Sequence, residues 1–309
     1  MNAIVEFPLL VGLTGLSQID LEFEPETGTL HWWMHPNGRP CFNAAFLEEV
    51  RVFEGALERH QGWIAHEGRS HRVRNMVFGS RIPGVFNLGG DMSMFIQAIL
   101  RKDRTTLEHY STLCVENMHR RIAGFNCEIA TYSLVQGKAY GGGFECALSS
   151  DVIVAERSAS FSLPEVLFNM FPGMGAISLL ARRIGLSKAE ELVMSGTVYS
   201  AKEMRDMGVI DELVEDGMGA DAIRHMIATR QKRQNSYRAM AAAKRQFMPI
   251  QLDELVRIVS VWVDAAMRLE TRDLRMMARL VKGQDRMLNR TEDENVVDYL
   301  YPVALAGNA

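Results

Sequence analysis

Apolar and polar positions along this chain follow two different periods in turn, and the switches between them mark out its elements. "IDLEFE" and "TLHWWMH" read as two short strands joined by the turn cluster "PETGT". Over Asn43 to His60, the recurrence of Ala45, Leu47, Val50, Phe53 and Leu57 predicts an amphipathic helix. "VRNMVFGS" is a strand ahead of the loop "RIPGVFNLGGDM", and Met92 to Ala123 is helical, divided into two helices around Arg101 to Thr105. "EIATYSLVQG" is an apolar strand ending in glycine; a triple-glycine run and a short helix follow, then "DVIVAE" and "ASFSLPE" as further strands. From Gly175 onward helices dominate, interrupted at "SGTVYS" and by the strand "IDELV". Gln251 to Leu288 is expected as one long helix whose stripe of Leu255, Val259, Trp262, Val263, Ala266 and Leu269 must be covered.

The repeated order of strand, helix, strand, strand, helix makes the fold class α/β. No Ser/Gly linker divides it, so residues 1–225 are expected as a catalytic core with an N-terminal extension. Residues 226–309 are expected as a helical region for oligomerisation or for covering the active site, ending in a loosely held tail of eighteen residues. A length of 309 residues with 47% hydrophobic side chains is enough for a large core. A net charge of -4, from 34 basic and 38 acidic side chains, gives no field that favours nucleic acid or an anionic membrane. Cys41, Cys114, Cys127 and Cys146 lie far apart without a Cys-x-x-Cys pair, which points to reduced thiols and the cytoplasm. The apolar stretch Phe7 to Leu16 is broken by Pro8, Gly12 and Gly15 and fits neither a signal peptide nor a membrane span.

Several motifs lead nowhere. In "HEGRSH" the histidines are five apart with a glycine between, so they do not share a helix face as zinc ligands would, and no metal site is expected. "GMGAIS" ends in Ser178 where the dinucleotide fingerprint needs glycine, and the segment before it contains a proline; no cofactor is expected. No Gly-x-Ser-x-Gly elbow or phosphate-binding Gly-Lys-Ser/Thr loop is present. Among nineteen methionines, Met170 and Met174 suit either an irregular core or a flexible acyl pocket.

Two loops remain, "FNLGGDM" at Phe86 to Met92 and "YGGGFE" at Tyr140 to Glu145. Each runs from a strand into a helix and so presents free backbone N–H groups, and its glycines let a ligand approach closely. One N–H from each, aimed at a single oxygen, would form an oxyanion hole. Glu145 and Glu165 stand in otherwise apolar surroundings and are the candidate acid/base pair. Each piece alone is also ordinary turn or helix-end chemistry, so the reading depends on their convergence.

The stretch from Val135 to Glu165, with Gln136-Gly137-x-Ala139-x-Gly141-Gly142-Gly143-x-Glu145-x-Ala147, then Asp151 and Pro164-Glu165, resembles the crotonase (enoyl-CoA hydratase/isomerase) superfamily. The likeness runs on through "GMGAISLLARRIG", "AEELVMSGTVYSAKEM" and "MGVIDELV". It implies a spiral of repeated ββα units, with backbone oxyanion donors at Leu88 and Gly142 and catalytic carboxylates at Glu145 and Glu165. Gly89, Gly141, Gly143, Met170 and Met174 are then the expected substrate contacts. Lys138 stands where a small or apolar residue is usual, and Leu88 replaces alanine, which should reshape the thioester end of the pocket.

Within that superfamily, "LHWWMHPNGRPCFNAAFLEEV", "RIPGVFNLGGDM" and "CVENMH" are similar to the diffusible-signal-factor synthases (the RpfF group). That resemblance implies dehydration of a 3-hydroxyacyl chain of about twelve carbons on acyl carrier protein, then thioester hydrolysis to a cis-2-unsaturated fatty acid signal. It also implies association with a cognate sensor protein and assembly as a trimer or dimer of trimers. A conventional enoyl-CoA hydratase or isomerase, and an inactive regulatory binding protein, are the alternatives.

Overall fold

Strands of the repeated unit separate into two sheets, and the cleft between the sheets and their helices is where the two glycine loops meet. The computed structural model describes residues 5–6 and 16–288. The expectations for Phe7 to Leu16, apart from its last residue, and for the terminal tail lie outside these residues. In the N-terminal part are β1 (Val5–Glu6), β2 (Ile19–Glu24), β3 (Thr29–Met34), α1 (Ala44–Arg59) and the hairpin of β4 (Trp63–His66) and β5 (Arg69–Arg72). The repeats follow as β6 (Asn75–Ser80), β7 (Val85–Asn87), α2 (Met92–Leu100), α3 (Arg104–Ile122), β8 (Ala130–Val135), β9 (Lys138–Tyr140), α4 (Gly142–Leu148), β10 (Val152–Glu156) and β11 (Ser160–Ser162). Then come α5 (Ala176–Ile184), α6 (Leu186–Ser195), β12 (Val198–Ser200), α7 (Ala201–Asp206) and β13 (Glu212–Val214). Four helices close the sequence of elements: α8 (Gly219–Gln231), α9 (Gln234–Phe247), α10 (Leu252–Ala266) and α11 (Thr271–Leu288).

The first strand of each repeat joins a six-stranded sheet of order β13-β10-β8-β6-β3-β2, and the second joins a four-stranded sheet of order β12-β11-β9-β7. Pairing is parallel between β6, β8 and β10 and between β7, β9 and β11, as crossovers through helices require. This is the spiral of ββα units that the family resemblance implies. Burial fits: every residue of β10 is buried, as a strand covered on both faces must be.

The Trp-containing preamble to the repeats, "LHWWMHPNGRPCFNAAFLEEV" from Leu30 to Val50, is built into this frame. β3 runs parallel to β6 in full register, Thr29 opposite Asn75 through Met34 opposite Ser80, with β2 antiparallel on its outer edge. Asn43 caps α1 by accepting the Phe46 N–H, and the helix buries Phe46, Leu47, Val50, Phe53 and Leu57. Asp91 caps α2 by accepting the Ser93 and Met94 N–H groups.

Three local readings change. "HEGRSH" is the turn of the β4–β5 hairpin, with Glu67 (φ 49°) and Gly68 (φ 72°) both left-handed at its tip, as a primed turn demands. The loop "RIPGVFNLGGDM" contains strand β7, which pairs with β9. The single helix expected over Gln251 to Leu288 is two, α10 and α11. α10 ends at Ala266 and α11 starts at Thr271, where the Asp273 carboxylate reaches back to accept the Glu270 N–H at 2.9 Å, as an acid at the third position of a new helix does. The predicted stripe of α10 is buried within this chain, Trp262 against Gly173 and Phe95, whereas α9 contributes no buried residue.

Candidate active site

α1, α3, α4 and the C-terminal helices enclose a cavity with about 80 Å³ of room for the centre of a water-sized sphere. The two glycine loops and both glutamates line it. So do Met170 and Met174. Of the expected contacts, Gly143 alone is placed elsewhere: a Cβ there would stand 2.0 Å from the Asn87 carbonyl oxygen, so this glycine lets β7 and α4 touch.

Glu145 lies in the first turn of α4 and is buried. Its Oε1 accepts N–H bonds from Met174 at 2.9 Å and from Ala176, the first residue of α5, at 3.0 Å. A carboxylate at a helix N-terminus is favoured in its ionised form. Burial pushes its pKa up to about 7, while the Ala176 and Met174 N–H groups pull against that rise.

Glu165 sits just inside a short 3₁₀ turn, Pro164–Phe168, with proline at its start to fix the backbone. Its Oε2 is fully covered and has no hydrogen-bond partner. Burial, and then the nearby charge of Glu145, raise its pKa to about 8. The pair therefore holds about one proton near neutral pH, and the Met174 and Ala176 N–H groups favour the ionised form of Glu145. Gly141, at φ 51°, makes room: a Cβ there would lie 2.7 Å from Glu165 Oε1.

The oxyanion donors differ from expectation at one position. Leu88 cannot supply its N–H, because that group donates to the Pro40 carbonyl at 2.8 Å. The cause is the preamble, whose Pro40–Phe42 stretch runs beside the loop and also bonds Phe42 N–H to the Gly89 carbonyl at 2.8 Å. Gly89 N–H is taken as well, by Asn87 Oδ1 at 2.8 Å. Gly90 N–H and Gly142 N–H have no acceptor among the described residues, and both residues line the cavity. They are close, since a Cβ built on Gly142 would stand 3.6 Å from the Gly90 nitrogen. The candidate hole is thus Gly90 with Gly142, two residues further along the first loop; Leu88 contributes only its side chain to the wall.

Sequence reasoning missed more of the site. Phe42, Leu47 and Val50 from α1 and its approach form one wall, and Tyr110, Cys114, Asn117 and Arg121 along α3 form another. The three-and-four spacing on α3 was the available signal. Trp262, Ala266, Leu269, Met277 and Gln284 close the cavity from α10, α11 and the turn between them. Arg39 ties α11 down through both Asp285 oxygens, at 2.5 and 3.1 Å. Among the described residues no three His, Cys, Asp or Glu side chains are grouped to hold a metal ion. No helix among them is long and apolar enough to cross a membrane.

A carboxylate pair beside two unpartnered N–H groups in a largely apolar cavity is an arrangement that can stabilise an enolate and move its proton. The chain belongs to the enoyl-CoA hydratase/isomerase family, whose model matches residues 65–273. It is 28% identical over 201 residues to human mitochondrial methylglutaconyl-CoA hydratase, a match covering 64% of this chain and 52% of that protein. It therefore spans about half the length of that relative. Mouse enoyl-CoA hydratase domain-containing protein 2 is 27% identical over 240 residues, covering 76% of this chain and 69% of that one. Among solved structures, an enoyl-CoA hydratase from Bacillus halodurans superposes with a TM-score of 0.68 at 18% identity, covering 84% of this chain and 98% of that chain. Pseudomonas aeruginosa DspI superposes with 0.58 at 18% identity, covering 90% and 97%. These likenesses speak to the fold.

Proposed function

We propose that the chain removes water from a 3-hydroxyacyl thioester on acyl carrier protein and then hydrolyses the thioester, releasing a cis-2-unsaturated fatty acid of the diffusible-signal-factor type. The observation that carries the chemistry is the glutamate pair facing one cavity with the Gly90 and Gly142 N–H groups; pKa values raised toward 7 and 8 let one carboxyl be ionised while the other is protonated near neutral pH. With the thioester oxygen between those donors, the α-proton becomes acidic because the enolate is stabilised. The ionised glutamate takes that proton, the C–O bond to the 3-hydroxyl breaks, and the protonated glutamate supplies the proton that lets water leave. The same pair can then deprotonate a water that attacks the thioester carbon, expelling the carrier thiol and leaving the free acid.

The finer reading draws support from the preamble, the part of the sequence most similar to the signal-factor synthases. Its Pro40 engages the first oxyanion loop and its Phe42, Leu47 and Val50 line the cavity, so it belongs to the site. Assembly as trimers is part of the same reading, supported by the wholly unburied α9.

The family match and the printed names of the relatives favour a second reading, a conventional hydratase that acts on CoA thioesters and releases no free acid. Incubating the protein with 3-hydroxydodecanoyl groups on acyl carrier protein and on CoA, then following products by mass spectrometry, separates the two. Free acid from the carrier-bound substrate supports the synthase. Hydrated or enoyl thioester alone moves the assignment to a hydratase.

A further inference from the structure

Away from the carboxylate pair, the cavity's one charged side chain among the described residues stands on its α1–α3 wall. There Arg121, 3% exposed, lines the cavity with its Nε bonded to Glu54 Oε1 at 2.7 Å and its Nη1 against Cys146 Sγ at 2.8 Å. Behind it, the guanidinium lies 4.3 Å from the Phe78 ring centroid and 4.9 Å from that of Trp32, both rings fully buried. Asn117, one turn earlier on α3, ties the two walls together by donating to the Leu47 carbonyl at 3.1 Å. Cys114 is close enough to Glu145 to feel its charge. Arg121 is seven residues further along the same helix, about 10 Å of helix rise beyond Cys114.

We propose that Arg121, fixed by Glu54, is the end stop of the acyl arm of this cavity and sets the longest chain that the site accepts. The inference rests on the acyl-thioester reading above. A chain that ends short of the guanidinium leaves the Arg121–Glu54 pair intact and buries its methylenes against Leu47, Val50 and Met118. A longer chain must push a buried charged group off its partner and off two aromatic faces. The floor behind Arg121 is filled by Trp32 and Phe78, so the arm cannot extend past it.

The test is a double variant, E54L/R121M, which removes both charges together and so strands neither. Wild type and variant are given 3-hydroxyacyl thioesters of eight, twelve and sixteen carbons, and kcat/KM is compared across lengths. The wild type is expected to discriminate against sixteen carbons, and the variant to raise the sixteen-to-twelve ratio at least tenfold. An equal fall at all lengths would mean a structural role only and overturns the proposal. If the variant does not fold, the wild type alone decides by calorimetry with free fatty acids of graded length. Affinity should climb with length and then drop at least tenfold once the chain reaches Arg121; a smooth climb through sixteen carbons overturns it, as does tighter binding of ω-hydroxy acids. Wild type that binds these acids with the expected break but turns over no thioester removes the catalytic reading and leaves the end stop standing.

Discussion

Two carboxylates are buried beside the same cavity and have opposite companions. Glu54 faces the Arg121 guanidinium, whereas Glu145 faces only backbone N–H groups and a second carboxylate, Glu165. Burial raises all three, but Arg121 pulls Glu54 back by charge and hydrogen bond, while Glu145 pushes Glu165 further up. The lesson is that a paired carboxylate is held in one state and serves shape, while an unpaired couple can exchange a proton at neutral pH and serves chemistry.

The comparison breaks most visibly by truncation. Glu145→Ala and Glu165→Ala should each lower kcat by about 10²- to 10⁴-fold with the fold retained, checked by product formation and circular dichroism. Unchanged turnover in either would remove the mechanism. Arg121→Ala should instead act on stability, costing about 3–5 kcal/mol in a denaturant titration because it leaves Glu54 buried without its partner. Glu165→Gln, an isostere of the protonated acid, should cost no stability near neutral pH. Next comes the oxyanion hole: replacing the Gly90 amide by an ester, which deletes the N–H, should lower kcat by about 10²- to 10³-fold. The same replacement at Leu88 should loosen the contact with Pro40 and reduce stability, leaving kcat within about threefold.

The smallest effects are those of pH. Activity needs one ionised and one protonated glutamate, so kcat/KM should rise as pH climbs through about 7 and fall beyond about 8. For stability the sign is opposite on the rising side. Both folded-state values lie above the ordinary 4.5, so the native state binds more protons than the unfolded chain between those limits. The stabilisation is complete below the ordinary carboxylate range and is lost as pH rises through 7 to 8. Thermal melts should therefore show a midpoint that declines by a few degrees from about pH 4.5 and levels off above about 8, and Glu165→Gln should flatten the decline.

Much of this was legible from the sequence because it is written in local patterns. The strands β6, β8 and β10, the paired helices α2 and α3, and the glycine loops follow from period and turn chemistry. Glu145 and Glu165 were legible as anomalies, carboxylates in apolar runs. The Leu88 donor was not correctly readable, since what disqualifies it is a carbonyl 48 residues earlier, Pro40, which only tertiary structure brings near. Arg121 was hidden because an arginine late in a helix looks like ordinary surface charge, and its partner Glu54 is 67 residues away. The break between α10 and α11 is marked by one side chain, Asp273, reaching back to the Glu270 N–H, which a hydrophobic stripe does not reveal.

Gly89 and Gly143 let the two glycine loops meet with nothing interposed: a Cβ on Gly89 would come within 2.9 Å of the Gly142 nitrogen, and one on Gly143 would collide with the Asn87 carbonyl. The spacing of the oxyanion donors is therefore a gauge cut from main chain, with no rotamer to adjust it. Substitutions along α1 and α3 can reshape the cavity walls while that gauge keeps its calibration, so on the proposed reading the substrate can change while the chemistry stays.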